Sequence, residues 1–293
     1  MAFRTLCASL ALALALWSAA AQAQVVRQSD PLADWSAIRH ILQDKSISPE
    51  WRDERGNSAA FYQLFYGSEQ RAADLIARAS RKGRWIEGNG DSLLEAAIYA
   101  GSPRVVQALI RHGEPVDRFR EGHSAPLQLA ARMGQYDTVR LLLRAGADGY
   151  CTGCVGDPPV AEALRHGDWQ LVLLMRDLGV DIERYRRQPR QGELVFRAID
   201  AHSADALVML EQLGFDLAGV DNEAGMSPVA YMLSQGYVTG GSSNFVLDQG
   251  DYCRRNARGE RILEQITGIK WLSEPGNDYF IELIRTRTAP CSN

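Results

Sequence analysis

Basic side chains form no long block in this chain of 293 residues, the markedly basic stretch from Asp181 to Glu193 being short, and lysine occurs only at Lys45, Lys82 and Lys270. Phosphate backbones are bound by clustered positive charge, so nucleic acid is not an expected partner. Beyond the first two dozen residues no apolar run reaches the roughly 18 residues of a membrane helix, so stable membrane insertion is not expected. Phosphate loops, Gly-x-Ser-x-Gly, His-Glu-x-x-His and the dinucleotide fingerprint are all missing. The five histidines, His40, His112, His123, His166 and His202, are dispersed, and acidic residues show no metal-loop spacing. No catalytic residue, cofactor or metal ligand is therefore assigned, and the chain reads as non-enzymatic. His112 precedes Gly113, where a cation beside a helix C-terminus would be favourable. His202 stands where a turn glycine is otherwise found.

What is present begins with a leader. Met1 to Arg4 is a short positive segment, LCASLALALALW is apolar, and Ala21-Gln22-Ala23 is the small-x-small pattern of a cleavage site. Residues 1–23 read as a signal peptide, with cleavage after Ala23 and a periplasmic destination. Removal takes away Arg4 and Cys7, leaving a net charge of −5 and four cysteines, Cys151, Cys154, Cys253 and Cys291. An even number in an oxidising compartment points to disulfides.

The second feature is a repeat. Leu93, Pro126, Pro159, Leu194 and Pro228 stand at intervals of 33, 33, 35 and 34. Each opens a short apolar helix that a glycine ends (Gly101, Gly134, Gly167), and a second helix follows up to another glycine (Gly113, Gly146, Gly179, Gly214). Small alanines on the first helix permit close packing, and glycine past a helix end suits a left-handed cap. One such pair cannot bury its own apolar faces, so a stack is required.

With Pro126-Leu127, Ala130-Ala131, Gly134, Val139, Leu142-Leu143 and Gly146-Ala147-Asp148 at this period, the chain resembles the ankyrin-repeat family. The resemblance implies an all-α repeat solenoid of stacked helix pairs with β-hairpin fingers. It covers residues 58–236 in five to six repeats, after an N-terminal segment, 24–57, whose Trp35, Ile38 and Leu42 share a capping helix face. The usual Thr-Pro-Leu-His is altered to Ala-Pro-Leu-Gln, Pro-Pro-Val-Ala and Ser-Pro-Val-Ala, so the family's histidine hydrogen bonds are in question. Residues 237–293 read as an irregular C-terminal cap, Tyr237 to Gly259 being too rich in Gly and Ser for a second helix; DYFIELIRTRT fits helix or strand.

In the ankyrin layout YCTGCVGDPP lies at a finger tip. Cys151 and Cys154 then flank a turn, and a disulfide between them leaves Cys253 to pair with Cys291. A redox centre or half of a zinc site are the competing readings. The first wants its cysteine at a helix N-terminus, yet the helix starts near Pro159; the second wants about four ligands.

The resemblance also implies a protein partner held in a concave groove of fingers and first helices. Its candidate contacts are Tyr99, Arg132, Met133, Arg165, His166, Asp200, Ser234 and Gln235 on the helices. The fingers add Phe119, Glu121, His123, Tyr150, Tyr185, Arg186 and Arg187. Exported relatives of this kind suggest a toxin-immunity protein or a companion of a periplasmic enzyme. The alternative is a thiol-disulfide oxidoreductase at the Cys-x-x-Cys finger or a hydrolase in the C-terminal segment.

Overall fold

Helix starts and stops in this chain are chemically marked, and the computed structural model places its helices at those marks. It describes residues 35–80, 85–88, 90–119, 122–152, 154–187 and 191–291. The leader, its cleavage point after Ala23, and Glu121 lie outside the described residues. The chain forms two compact units, Met1–Gly156 and Asp157–Asn293.

In the first unit α1 is Trp35–Gln43, and three helix pairs follow: α2 Ala59–Tyr66 with α3 Glu69–Arg78, α4 Leu93–Tyr99 with α5 Pro103–Arg111, and α6 Pro126–Arg132 with α7 Tyr136–Arg144. Ser58, Ser92 and Ser102 each accept the N–H three residues on, satisfying a donor that the first turn leaves orphaned. Past α5 and α7, Gly113 and Gly146 take φ of +93° and +91°. No atom lies within 4 Å of where a Cβ would sit at either, so conformation and not space demands glycine there.

The second unit pairs α8 Pro159–Arg165 with α9 Trp169–Asp177. It continues through α10 Ile182–Arg187, α11 Gln191–Asp200, α12 Ala204–Gln212, α13 Pro228–Ser234, α14 Gly241–Gln249, α15 Ile262–Gln265, a 3-10 turn Lys270–Ser273 and α16 Asp278–Thr288. His202 adopts φ +51°, the turn role that glycine has elsewhere. Among the described residues no helix is long and apolar enough to cross a membrane.

The two helices of a pair are buried differently. In α6 every residue from Pro126 to Ala131 is buried, whereas α7 buries only Thr138, Val139 and Leu142. First helices are flanked by neighbours on several sides, which explains their small alanines; second helices contribute one stripe at helical spacing. The capping helix behaves like the latter, burying Ile38 and Ile41 with Leu42 half-buried.

Polar side chains also join one repeat to the next. Gln128 stands where the family has histidine: its Oε1 accepts the Ala125 N–H at 3.2 Å and its Nε2 donates to Val155 O at 2.9 Å. A neutral amide thus supplies a donor and an acceptor at once, as an imidazole would. Similarly, Glu114 accepts the Trp85 N–H at 2.8 Å. His112 is buried, its Nε2 3.0 Å from Ala79 O and its Nδ1 3.5 Å from the Trp85 indole nitrogen. The indole N–H can only donate, so it points at His112 Nδ1 as an acceptor.

Glu87 is buried and accepts both the Ser58 N–H at 2.6 Å and its hydroxyl at 3.0 Å. Burial pushes its carboxyl up, and the Ser58 hydrogen bonds offset only part of that push. The folded state therefore holds this proton more tightly than the unfolded chain does. The cost of the charge is present above the raised folded pKa and is relieved as pH falls from there towards the ordinary glutamate range. Relative to Glu87→Gln, the native protein should lose stability as pH rises from about 4.3 to 7. Urea titrations of both proteins across that range check this, and parallel curves would exclude it.

Two expectations need correction. First, the fingers contain no extended strand pair among the described residues, only the isolated antiparallel bridges Arg52↔Ser58 and Ile86↔Ser92. Each arm enters its helix one residue after the bridge, at Ala59 or Leu93, so no ladder can lengthen. Second, residues 237–293 are not irregular throughout: α14 forms within the stretch expected to hold no second helix, and α15, the 3-10 turn and α16 follow. Gly241 packs towards Ala204 of α12, where an added Cβ would lie 3.6 Å from the Ala204 Cβ, and Ser242 and Ser243 are buried. The small residues read as loop breakers form the start of α14, and two of them, Ser242 and Ser243, are part of its buried side. One further finger follows: Asn256 N–H bonds Glu260 O at 2.9 Å and Gly259 N–H bonds Asn256 O at 2.8 Å. The same pair of bonds closes the turns at 53–57, 87–91 and 222–226. DYFIELIRTRT, which fitted helix or strand, forms α16.

Candidate functional site

The ends of the first helices share one register, so residues 33 or so apart should present side chains at equivalent places. In the first unit the last residue of α4, Tyr99, is 62 % exposed, and Met133, just past α6, is 40 % exposed. Gln135 ties the two helix ends together: its Nε2 donates to Ile98 O at 2.6 Å and lies 3.8 Å from the Met133 sulfur. Val155, in the finger after α7, is also exposed. Two large apolar side chains are thus exposed at the ends of helices whose backbones one amide bridges, Gln135 reaching the Ile98 carbonyl and the Met133 sulfur. Arg132 is half-buried and donates to Ser124 Oγ at 3.0 Å.

In the second unit Arg165 and His166 are exposed, Arg165 donating to the buried Glu162 at 2.6 Å. Asp200 is half-buried, accepts the Tyr231 hydroxyl at 2.6 Å, and pairs with Arg197 at 3.5 Å. Burial first, and then the Asp200 carboxylate, push the Tyr231 phenol well above its usual range. Asp200 thus belongs to a local polar network rather than to a free surface. Ser234 donates to Tyr231 O at 2.7 Å and accepts from the exposed Gln235 at 3.2 Å.

Of the finger residues, Phe119, His123 and Tyr150 are half-buried. Tyr185 is a correction: only 5 % of it is exposed. The segment expected to be an extended basic finger instead forms α10, and helical spacing turns Ile182 and Tyr185 inward together. Arg186 is half-buried and donates to Gly214 O at 3.3 Å, while the Arg187 side chain lies outside the described residues.

Cys151 and Cys154 are joined as a disulfide with their Cα atoms 5.4 Å apart, and Cys253 and Cys291 as another at 5.2 Å. Asp148 organises the first of these turns, its backbone carbonyl accepting the Cys151 N–H at 3.1 Å and its carboxylate the Thr152 N–H at 2.8 Å. Cys151 is buried with φ +52°. Its turn follows α7 and belongs to no helix N-terminus, so the dipole that lowers a reactive thiol's pKa is not supplied there.

One cluster had no signal in the sequence. Asp91, Glu95 and His123 each bring a ligating atom within 4.8 Å of the others. Asp91 ends a finger, Glu95 is in the first turn of α4, and His123 belongs to the next finger, so no motif spacing links all three. In the second unit a cleft of about 490 Å³ opens beside α9 and α12, lined by Trp169, Leu173, Val208 and Met209 among others.

Residues 52–152 match the family description "Ankyrin repeats (3 copies)". Among curated proteins, the chain is 31 % identical over 96 residues to an ankyrin repeat-containing protein of Treponema pallidum (strain Nichols), covering 32 % of each. It is 29 % identical over 143 residues to the E3 ubiquitin-protein ligase KEG of Arabidopsis thaliana, covering 47 % of this chain and 8 % of that protein. It thus spans at most about a third of the length of these relatives. Among solved structures, the human ASB11 ankyrin repeat domain aligns with a TM-score of 0.60 at 21 % identity, over 80 % of this chain and all of that one. The ankyrin repeat domain of Bcl-3 aligns at 0.54 and 20 %, over 70 % and 88 %. At such identities the likeness is one of fold.

Proposed function

We propose that this ankyrin-repeat protein is an exported, non-enzymatic scaffold that holds a protein partner against the ends of its first helices and its fingers. Ankyrin repeats imply a protein–protein interaction module. The observation that carries the finer reading is the pair Tyr99 and Met133, large apolar side chains exposed at helix ends that Gln135 bridges. Tyrosine and methionine are enriched in the buried cores of interfaces, where a partner takes their apolar surface out of water. Support for export is the leader-like sequence of residues 1–23 and the pairing of all four remaining cysteines. A periplasm-delivered toxin and a resident periplasmic enzyme are the partners in view.

Affinity capture from a periplasmic extract tests both halves of the reading. The recovered chain should begin at Gln24 and bring down one stoichiometric protein. A Tyr99→Asp/Met133→Asp double variant should bind that protein at least about tenfold more weakly, as for loss of a hot spot. Its circular dichroism should stay close to native, because neither side chain is part of the buried core. Equal recovery by the variant, or no stoichiometric partner, rules the surface out.

A further inference from the structure

We infer that Asp91, Glu95 and His123 form a binding site for a divalent first-row metal ion, with zinc the best fit. Two carboxylates and an imidazole are the oxygen and nitrogen donors that such ions take, and their combined charge offsets that of the ion. The three ligating atoms already lie within 4.8 Å of one another, with His123 Nδ1 3.9 Å from Asp91 Oδ1.

The site has a rigid side and an adjustable one. Glu95 is only 5 % exposed and is locked by a reciprocal pair of bonds with Ser92: each backbone N–H is accepted by the other's side chain at 3.1 Å. A carboxylate has about four acceptor positions and Ser92 occupies one, so acceptor capacity remains for an ion. Asp91 is placed by the finger turn, where its carbonyl accepts the Glu87 N–H at 2.9 Å. His123 has a side chain 41 % exposed and can close on the other two. Tetrahedral zinc with bonds near 2.0–2.1 Å sets its ligands roughly 3.3 Å apart, so the His123–Asp91 gap must shorten by about half an ångström and any pair near the 4.8 Å limit by about 1.5 Å. Two carboxylates this near each other repel, and an ion between them turns that repulsion into ligation.

Three protein ligands leave a fourth position for water or another donor, as in open zinc sites. The ion would join two successive fingers, adding a tie of the kind that Gln128 makes further along. This inference is separable from the partner-binding surface: His123 is common to both, but zinc uptake needs no second protein and does not involve Tyr99 or Met133.

The test uses the mature, disulfide-intact chain, stripped with chelator and titrated with zinc chloride by calorimetry. One ion per chain is expected, with a rise in melting temperature on saturation and visible absorption bands when cobalt(II) is substituted. His123→Ala and Asp91→Asn should each weaken zinc binding by at least ~10–100-fold, the loss already caused by removing an outer partner of a metal ligand. His166→Ala, at an exposed histidine outside the cluster, should leave affinity unchanged. Circular dichroism confirms that each variant is folded. No stoichiometric uptake, or affinity that survives both cluster variants, or equal loss in His166→Ala, overturns the site.

Discussion

Replacing Leu142 by alanine is expected to lower the unfolding free energy by about 3–5 kcal/mol, against roughly 1 kcal/mol for the same change at Leu141 or Leu143. The three leucines are consecutive in α7, yet Leu142 has no exposed surface while its neighbours are half-buried. A fully buried leucine loses its transfer free energy and leaves a cavity that the surroundings only partly fill. Here those surroundings include α5, which packs on α7 and buries Val105, Val106 and Leu109. In a stack each interface serves two repeats, so a cavity in one weakens its neighbour as well. Urea unfolding followed by far-ultraviolet circular dichroism measures the difference. Equal losses at the three positions would mean that α7 does not present a single buried stripe.

The second large effect is expected at the disulfides, and it should be unequal. Replacing Cys253 and Cys291 by alanine is expected to cost ~3–4 kcal/mol, whereas the Cys151/Cys154 double replacement should cost only about 1.5 kcal/mol. The sequence separations are 38 and 3 residues, and a longer closed loop removes more freedom from the unfolded chain. The cysteine at 253 lies between α14 and the finger at 256–260, and Cys291 follows α16. Their bond therefore holds the last helices against the finger that precedes them. Non-reducing urea melts should show the C-terminal helices melting early in the first variant and an almost native curve in the second. A larger loss from the tight pair would contradict this.

How much of this could be read from residues alone depends on how far apart the cooperating residues lie. The period, the helix pairs and the turn at His202 rest on signals within one repeat: apolar spacing, a capping serine or proline, and a glycine after the last turn. Such signals survive without knowledge of neighbours. Tyr185 misled because RYRR looks like exposed basic loop until Ile182 is seen one helical turn before it. The stretch GGSSNFVLDQ misled for the opposite reason, since glycine and serine serve equally as loop formers and as small surfaces for close helix contact. Only the burial of Ser242 and Ser243 in the folded chain distinguishes the two uses.

The same boundary runs through the site. Exposure of Tyr99 and Met133 followed from their place after the paired alanines, but the Gln135 amide that couples the two helix ends appears only once α4 and α6 are side by side. Gln128 looked like a lost histidine, and the acceptor that restores its function, Val155 O, is 27 residues away. Asp91, Glu95 and His123 come from two fingers and a helix, with spacings that match no motif. Local propensity and short-range periodicity were enough to specify the repeat and its register. Which side chains meet across repeats was settled by stacking, because those contacts depend on distances between backbones that no single segment encodes.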